Sequence, residues 1–180
     1  YQPSPMLNLY ATLFHNKFDG LATTQIINGV PNESVGGAKA TGVELEGVIR
    51  PFAGFSIAAA GTYLDGTYRG FFSGNGTIDN TGNRVQRQPK WMWRATPSYE
   101  LTVGDFRPSI FATLQYTGDR FSDPENAQLL PNYYQLDAGV SVDVNQRLKL
   151  AVTGNNLTDE LGLTEGNPRI IGSQGAGTIL

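Results

Sequence analysis

The sequence predicts an all-β protein built from consecutive antiparallel strands. Three observations lead to this prediction. Apolar and polar residues alternate with a period of two along much of the chain, short and long connections alternate, and the composition is rich in glycine and aromatic residues. The 180 residues include 22 Gly, 9 Phe and 8 Tyr, whereas charged residues make up only 16%. Such a composition is typical of strands and turns rather than of a helical bundle.

The alternation is clearest at residues 41–50, where Val43, Leu45 and Ile49 share one face of a strand. Glu44 and Glu46 occupy the other face. Comparable patterns predict seven strands, at residues 7–18, 41–50, 55–64, 91–101, 106–116, 134–144 and 148–155. Each strand has about ten residues, which is the length that a tilted strand needs to cross a membrane.

The connections between these strands alternate strictly in length. Hairpin-length turns join strands two and three, four and five, and six and seven, whereas long segments at 20–39, 65–90 and 117–132 join the others. Alternate connections of an antiparallel sheet lie at opposite ends. Short turns at one end and long loops at the other are typical of a β-barrel in a bacterial outer membrane.

Aromatic residues gather at both ends of the predicted strands, as two interfacial girdles would require. Those near the short turns are Phe52, Phe55, Tyr99 and Phe106, and those near the long loops are Trp91, Trp93, Tyr116, Tyr133 and Tyr134. A soluble β-sandwich stays an alternative, because aromatic residues also close the ends of a sandwich core. A helical membrane protein is excluded, since no apolar run approaches the roughly 18 residues of a membrane-spanning helix.

Charge and residue types exclude several classes of function. The chain has 13 Lys and Arg against 16 Asp and Glu, so it lacks the basic character of a nucleic-acid-binding protein. It has no cysteine, which excludes disulfides and thiolate zinc sites. His15 is the only histidine, and no serine lies in a G-x-S-x-G motif. We therefore do not expect this protein to be an enzyme, to hold a cofactor or to have a metal site.

Two groups of residues are candidates for function. Glu44 and Glu46 share a strand face, which suits acid–base chemistry or a hard cation, although wall residues of a barrel interior are the favoured interpretation. Segment 65–90 mixes aromatic side chains with arginines, which suits planar, sugar-like or anionic ligands, or equally the packing of the loop against its neighbours. The candidate ligand-binding residues of this segment are Tyr68, Arg69, Phe71, Phe72 and Arg84.

Several motifs resemble a known family. They are Ala-Thr-Gly-Val-Glu-Leu-Glu at 40–46, Gly-Asn-Arg at 82–84 with Pro89 before a strand, and Val-Thr-Gly-Asn-Asn-Leu-Thr-Asp-Glu at 152–160. Together they resemble the C-terminal barrel region of TonB-dependent outer-membrane receptors. Residues 163–169 resemble the segment that leads into the last strand of such receptors.

The resemblance implies that residues 1–180 form a C-terminal portion of a 22-stranded barrel, with the plug domain and the final strand absent. It implies active transport of a scarce solute into a Gram-negative bacterium, with ferric siderophores favoured over cobalamin, nickel chelates and carbohydrates. The implied partners are the TonB complex, through the absent plug, and outer-membrane lipid, but not nucleic acid. The alternatives are a small self-contained barrel acting as a porin or adhesin, and a soluble β-sandwich binding module.

A barrel also assigns the two faces of the predicted strands. The residues expected to face lipid are Val43, Leu45, Ile49, Ile110, Leu114, Leu136, Val140 and Val142. The residues expected to face the lumen are Glu44, Glu46, Arg107, Gln115, Gln135 and Asp137.

Overall fold

The computed structural model describes residues 4–27, 30–104, 106–145, 147–166 and 177–179, which contain strands and no helix. The strands are β1 (Leu7–Ile27), β2 (Val30–Phe52), β3 (Phe55–Ser73), β4 (Ile78–Asp79), β5 (Trp91–Glu100), β6 (Arg107–Thr117), β7 (Arg120–Phe121), β8 (Leu129–Leu130), β9 (Tyr133–Asn145), β10 (Leu148–Gly154), β11 (Leu163–Gly166) and β12 (Gly177–Ile179). Asp105 and Gln146, from two predicted turns, and residues 167–169 of the last motif lie outside the described residues.

Seven strands form one large antiparallel sheet in the order β1-β2-β3-β5-β6-β9-β10, and β4 pairs with β3. Each long strand therefore lies beside the next long strand of the chain, as the sequence predicts. Two small antiparallel pairs, β7–β8 and β11–β12, complete the described strands. A sandwich requires two large sheets packed face to face, and the described residues form one large sheet. In the described part of the chain, no helix is long and apolar enough to cross a membrane.

The register of the sheet separates an apolar face from a polar face, because residues directly opposite each other in a ladder share a face. One apolar row crosses five strands through Leu45, Gly61, Trp93, Tyr116 and Tyr134. The adjacent polar row runs through Glu46, Ala60, Arg94, Gln115 and Gln135. The same register places the eight residues expected to face lipid on the apolar face, and the six expected to face the lumen on the polar face.

Large apolar side chains stay exposed on the apolar face. Ile110 and Val140 lie directly opposite each other, and both are about half exposed, as are Leu45 and Ile49. A contiguous apolar surface of this kind requires a covering partner or an apolar solvent.

Hydroxyl groups pair across the strands on the polar face. Ser56 contacts Ser98 at 2.8 Å between their Oγ atoms, and Ser109 contacts Ser141 at the same distance. Gly139 makes room there for the Phe111 ring, because a Cβ atom at this glycine would lie 2.7 Å from Phe111 Cε1. Short hydroxyl side chains thus form hydrogen bonds with one another across the strands of the polar face. The same face accommodates a bulky ring where the opposite residue is glycine.

The exposed apolar surface on the apolar face is called here the apolar belt. Aromatic clusters lie at both of its ends, as predicted. At the long-connection end, ring centroids are 4.8 Å apart in the pair Tyr116–Tyr134 and 4.7 Å apart in the pair Tyr63–Trp91. At the short-turn end, Phe52 stacks on Phe55 with centroids 5.0 Å apart. These clusters mark the limits of the apolar face along the strands.

Strands β1, β2 and β3 are longer than predicted. The expected long connection at 20–39 is mostly strand, because β1 and β2 stay paired up to Ile27 and Val30. Gly20 has a φ of 70°, and the register shifts there between Phe18 and Leu21. The shift interrupts the alternation of side chains while the backbone pairing continues, so the pattern underestimates the strand length. About ten residues of each strand extend beyond the aromatic cluster, a distance of roughly 30 Å.

Candidate functional site

The long-connection end of the sheet carries a folded group of loops. Residues 64–90 and 118–132, with residues 156–165, form what we call the loop cap. Segment 82–90 lies along the part of β3 that extends beyond β5. Tyr68 donates its backbone N–H to Asn83 O at 2.9 Å, and Val85 donates to Gly66 O at 3.1 Å. The part of β3 that extends beyond β5 therefore pairs with the segment that connects β3 to β5.

The core of the loop cap contains two of the five candidate ligand-binding residues. The Tyr68 and Phe71 rings stack with centroids 4.1 Å apart and are 3% and 1% exposed. They pack with Ala38, Leu21 and Val85. Burial raises the pKa of the Tyr68 hydroxyl above its ordinary value. Their position supports the packing alternative for these two side chains.

A bulge in β3 explains why residues three apart share a face. The register shifts between Val35 and Gly37, opposite Gly70, which has a φ of 51°. One extra residue on the bulged strand reverses the alternation beyond it. Tyr68 and Phe71 therefore both face inward, into the core of the loop cap on the polar face of the sheet. Arg69 and Phe72 both face outward, on the side of the apolar face.

Arg69 and Phe72 are the candidate residues with accessible side chains. Phe72 is 37% exposed and lies opposite Val35, which is also exposed. The Arg69 guanidinium is 3.8 Å from an Asp19 carboxylate oxygen, and both side chains are open to solvent. An exposed pair of this kind contributes little to stability, so the guanidinium stays available to another anion.

Arg84, the fifth candidate, connects the two main loops of the cap. Its guanidinium donates to Asp119 Oδ2 at 2.7 Å and to Asp119 O at 2.6 Å. It also lies 5.3 Å from the centroid of the Phe121 ring. A ligand anion at Arg84 would therefore compete with Asp119.

Asn126 lies in the loop cap and is not among the residues that the sequence pattern indicated. It adopts a left-handed conformation with a φ of 57°. Its Oδ1 accepts the backbone N–H of Arg84 at 2.8 Å, and its Nδ2 donates to Arg84 O at 2.9 Å. The side chain thus pairs with the Arg84 backbone much as a neighbouring strand would. The available signal was an asparagine in a run of turn-forming residues, Asp-Pro-Glu-Asn at 123–126.

A buried polar contact and a second junction complete the loop cap. The buried amide of Asn80 donates to Ser73 Oγ at 2.9 Å, and Ser73 Oγ donates to Glu125. Arg120 is only 6% exposed, and its Nη2 donates to Leu163 O at 2.6 Å. These contacts join loops that are distant in sequence into one unit.

Three carboxylates of the polar face, those of Glu44, Glu46 and Asp143, lie on the strands outside the loop cap. Glu44 and Glu46 are exposed, and each lies opposite polar or small residues of β1 and β3, such as Thr12 and Ala60. Arg107 lies opposite Asp143, whose carboxylate is 3.5 Å from Lys149 Nζ. Among the described residues, no group of three or more Asp, Glu and His side chains is arranged to hold a metal ion.

Asp137 anchors the turn that follows β10. Its carboxylate accepts hydrogen bonds from the amides of Gln115 at 3.2 Å and Gln135 at 3.3 Å, and from the backbone N–H of Asn156 at 2.8 Å. The Asn156 side chain then closes the turn with two 3.0 Å hydrogen bonds to the Glu160 backbone. The Asn-Asn-Leu-Thr-Asp-Glu motif is thus a turn fixed onto β9.

Replacing Asp137 with alanine is expected to destabilise this turn by about 2–3 kcal/mol, because an ionised acceptor of three hydrogen bonds is lost. Hydrogen exchange of the Asn156 and Glu160 amides in the full-length protein measures the effect. Asp143→Ala is the matched control, since its exposed pair with Lys149 is worth at most about 1 kcal/mol. Equal exchange in the two variants would contradict the anchoring role.

Comparison with known proteins identifies a family model and several solved structures. The model for the TonB-dependent receptor-like β-barrel matches residues 1–157. No curated protein sequence matches the chain.

Three solved structures illustrate the similarity. The siderophore receptor PiuA from Acinetobacter baumannii is 23% identical, with a TM-score of 0.68, over 97% of this chain and 24% of that chain. The ferric yersiniabactin uptake receptor FyuA from Yersinia pestis is 17% identical, with a TM-score of 0.68, over 100% and 34%. The ferric-catecholate import receptor Fiu from E. coli K12 is 17% identical, with a TM-score of 0.62, over 98% and 24%. The chain thus spans a quarter to a third of these receptors, and such identities establish the fold alone.

Proposed function

Because the chain belongs to the family of TonB-dependent receptor-like β-barrels, we propose that it is part of an outer-membrane receptor that binds and imports a ferric siderophore. Family membership confirms the resemblance carried by the motifs, and it confirms the all-β barrel fold. It also agrees with the expectation that the protein is not an enzyme, because this family consists of transport receptors.

The proposal assigns residues 1–180 to a C-terminal portion of the barrel in the outer membrane of a Gram-negative bacterium. The plug domain and the contact with TonB would belong to other parts of the full-length receptor, which supply the coupling to energy. In this arrangement the apolar face of the sheet contacts lipid, the polar face lines the lumen, and the loop cap lies outside the cell. The family match favours this function over a porin or an adhesin.

The siderophore assignment rests on one observation: the three similar structures are a siderophore receptor, a ferric yersiniabactin uptake receptor and a ferric-catecholate import receptor. The loop cap supports it through the chemistry of its accessible groups. Arg69 offers guanidinium donors and Phe72 offers a flat apolar face on the outer side of β3. Together they suit the first contact with a bulky, partly aromatic and anionic ligand that arrives from outside the cell. Tyr68, Phe71 and Arg84 contribute in this proposal by holding the shape of the cap. Cobalamin and carbohydrate ligands are the competing outcomes.

The Arg69→Ala/Phe72→Ala double variant tests the site in the full-length receptor. We expect about tenfold weaker binding of the cognate ferric siderophore, which corresponds to about 1.4 kcal/mol, with an unchanged amount of folded barrel. Fluorescence titration with catecholate, hydroxamate and mixed-ligand ferric siderophores, beside cobalamin and an oligosaccharide, identifies the ligand class. These point changes are preferable to deleting residues 67–86, because the deletion would also remove the buried rings of the loop cap.

The matched control is Arg147→Ala/Leu148→Ala, which changes an exposed arginine and an exposed apolar residue at the opposite end of the sheet. We expect this control to bind like the wild type. Unchanged affinity in the Arg69/Phe72 variant would show that the two side chains only cover the surface. Failure of the wild-type receptor to bind any ferric siderophore would contradict the proposed function.

A further inference from the structure

A basic surface lies directly beyond the apolar belt on the first two strands. On the apolar face, the ladder passes from Leu13 opposite Val43 to His15 opposite Thr41, and then to Lys17 opposite Lys39. Both lysines are exposed. The surface formed by His15, Lys17 and Lys39 is called here the basic patch. It adjoins the aromatic cluster at the long-connection end, where Val43 lies opposite Tyr63.

The lysines of the basic patch have no carboxylate partner among the described residues, although two carboxylates lie on neighbouring rungs. Asp19 pairs with Arg69 at 3.8 Å, and Asp65 pairs with Lys90 at 3.2 Å. Two like charges directly opposite each other in an antiparallel ladder destabilise the pairing. An anion bound between the two ammonium groups would remove this repulsion.

The position of the patch indicates which anion fits. In a membrane barrel, the boundary just beyond the aromatic residues lies at the level of the lipid headgroups. Lysine stems reach along apolar surface and place the ammonium group at that level, where clustered basic residues attract anionic headgroups. Opposite residues of a ladder have Cβ atoms about 5 Å apart, so both lysines can contact one phosphate group.

We propose that Lys17 and Lys39 bind a phosphate group of an outer-leaflet lipid whose acyl chains cover the apolar belt below. This inference rests on the proposed placement of the chain in the outer membrane. His15 lies at the inner border of the patch, where its Nδ1 is 2.7 Å from Thr41 Oγ1. That contact leaves Nε2 as the second hydrogen-bonding group of the ring for the phosphate.

The experiment measures lipid retention by the full-length receptor. Receptor in neutral detergent is incubated with a diglucosamine lipid carrying two phosphates, and the bound lipid is counted by native mass spectrometry after gel filtration. A basic residue near an anionic lipid surface is worth about 1 kcal/mol, so Lys17→Gln/Lys39→Gln is expected to weaken retention about thirtyfold. Lys149→Gln, at the short-turn end, is the matched control and is expected to retain lipid like the wild type.

A second variant separates binding from folding. Lys17→Glu places opposite charges across the ladder, which favours strand pairing, and it introduces a charge that repels phosphate. We expect this variant to keep the folded barrel, seen as heat-modifiable electrophoretic mobility, and to lose lipid retention. Retention equal to that of the wild type in both the Lys17→Glu and the double variant would overturn the proposal.

Two further arms identify the source of the phosphate. The same lipid without its phosphates is expected to be retained poorly, and equal retention would overturn the proposal in favour of acyl-chain contact alone. Millimolar inorganic phosphate is expected to displace little lipid, whereas full displacement would overturn the lipid assignment in favour of a site for free phosphate. Siderophore titration of the same preparations keeps the two proposals distinguishable. Phosphate-dependent lipid retention without siderophore binding would support the lipid site and contradict only the proposed function.

Discussion

Replacing Val140 with arginine is expected to lower the free energy of unfolding of the full-length barrel by about 2–4 kcal/mol. Val140 is 50% exposed near the middle of β9, and its ladder neighbours on the apolar face are Ile110 and Val152. If this face contacts hydrocarbon, the arginine must enter the membrane interior. Denaturant unfolding in lipid vesicles measures the loss.

The adjacent residue provides the control for this substitution. Ser141 lies on the polar face and contacts Ser109 at 2.8 Å, so Ser141→Arg is expected to cost about 1 kcal/mol, the value of one neutral hydrogen bond. The arginine there would point into an aqueous lumen. Equal losses for the two variants would contradict the assignment of the two faces.

Truncating Phe71 to alanine is expected to destabilise the loop cap by about 3–5 kcal/mol, the usual effect of removing a buried aromatic ring. The ring is fully enclosed and stacks on Tyr68, whose backbone carries the hydrogen bonds to Asn83 and Gly82. The loss is expected to be local, because the cap lies beyond the membrane-length part of the sheet. Hydrogen exchange of the Tyr68 and Gly82 amides and limited proteolysis of segment 80–87 measure it.

Phe72→Ala is the matched control, because it removes the same ring from the next residue on the exposed side of the strand. We expect it to leave amide protection in the cap unchanged, while it weakens ligand binding. If Phe72→Ala exposes the loops to protease as much as Phe71→Ala does, the inward and outward assignment of the two rings is wrong.

The fold was predictable because its signals are local. The alternation at Val43, Glu44 and Leu45 requires only that successive side chains of a strand point to opposite faces. The short turns fix which strands are antiparallel neighbours, and the order of the large sheet follows the order of the chain. The aromatic clusters at Phe52–Phe55 and Tyr116–Tyr134 follow from the same register.

The extent of the strands was less predictable. Backbone pairing of β1 with β2 continues through the register shift near Gly20, where the side-chain pattern changes its phase. The bulge opposite Gly70 likewise makes Tyr68 and Phe71 neighbours on one face. A glycine in the pattern indicates that a bulge is possible, but only the pairing with the neighbouring strand shows where the phase changes.

The sequence by itself therefore determined the class of fold, the order of the strands and the two faces of the sheet, because these depend on period-two alternation and turn length. The tertiary structure alone decided which loop residues are buried and which are accessible. The cap is held by side chains that are far apart in the chain: Asn126 binds the backbone of Arg84 across 42 residues, Ser73 binds Glu125 across 52, and Arg120 binds Leu163 across 43. Contacts over such separations leave no periodic signal, because they depend on how the strands bring distant loops together.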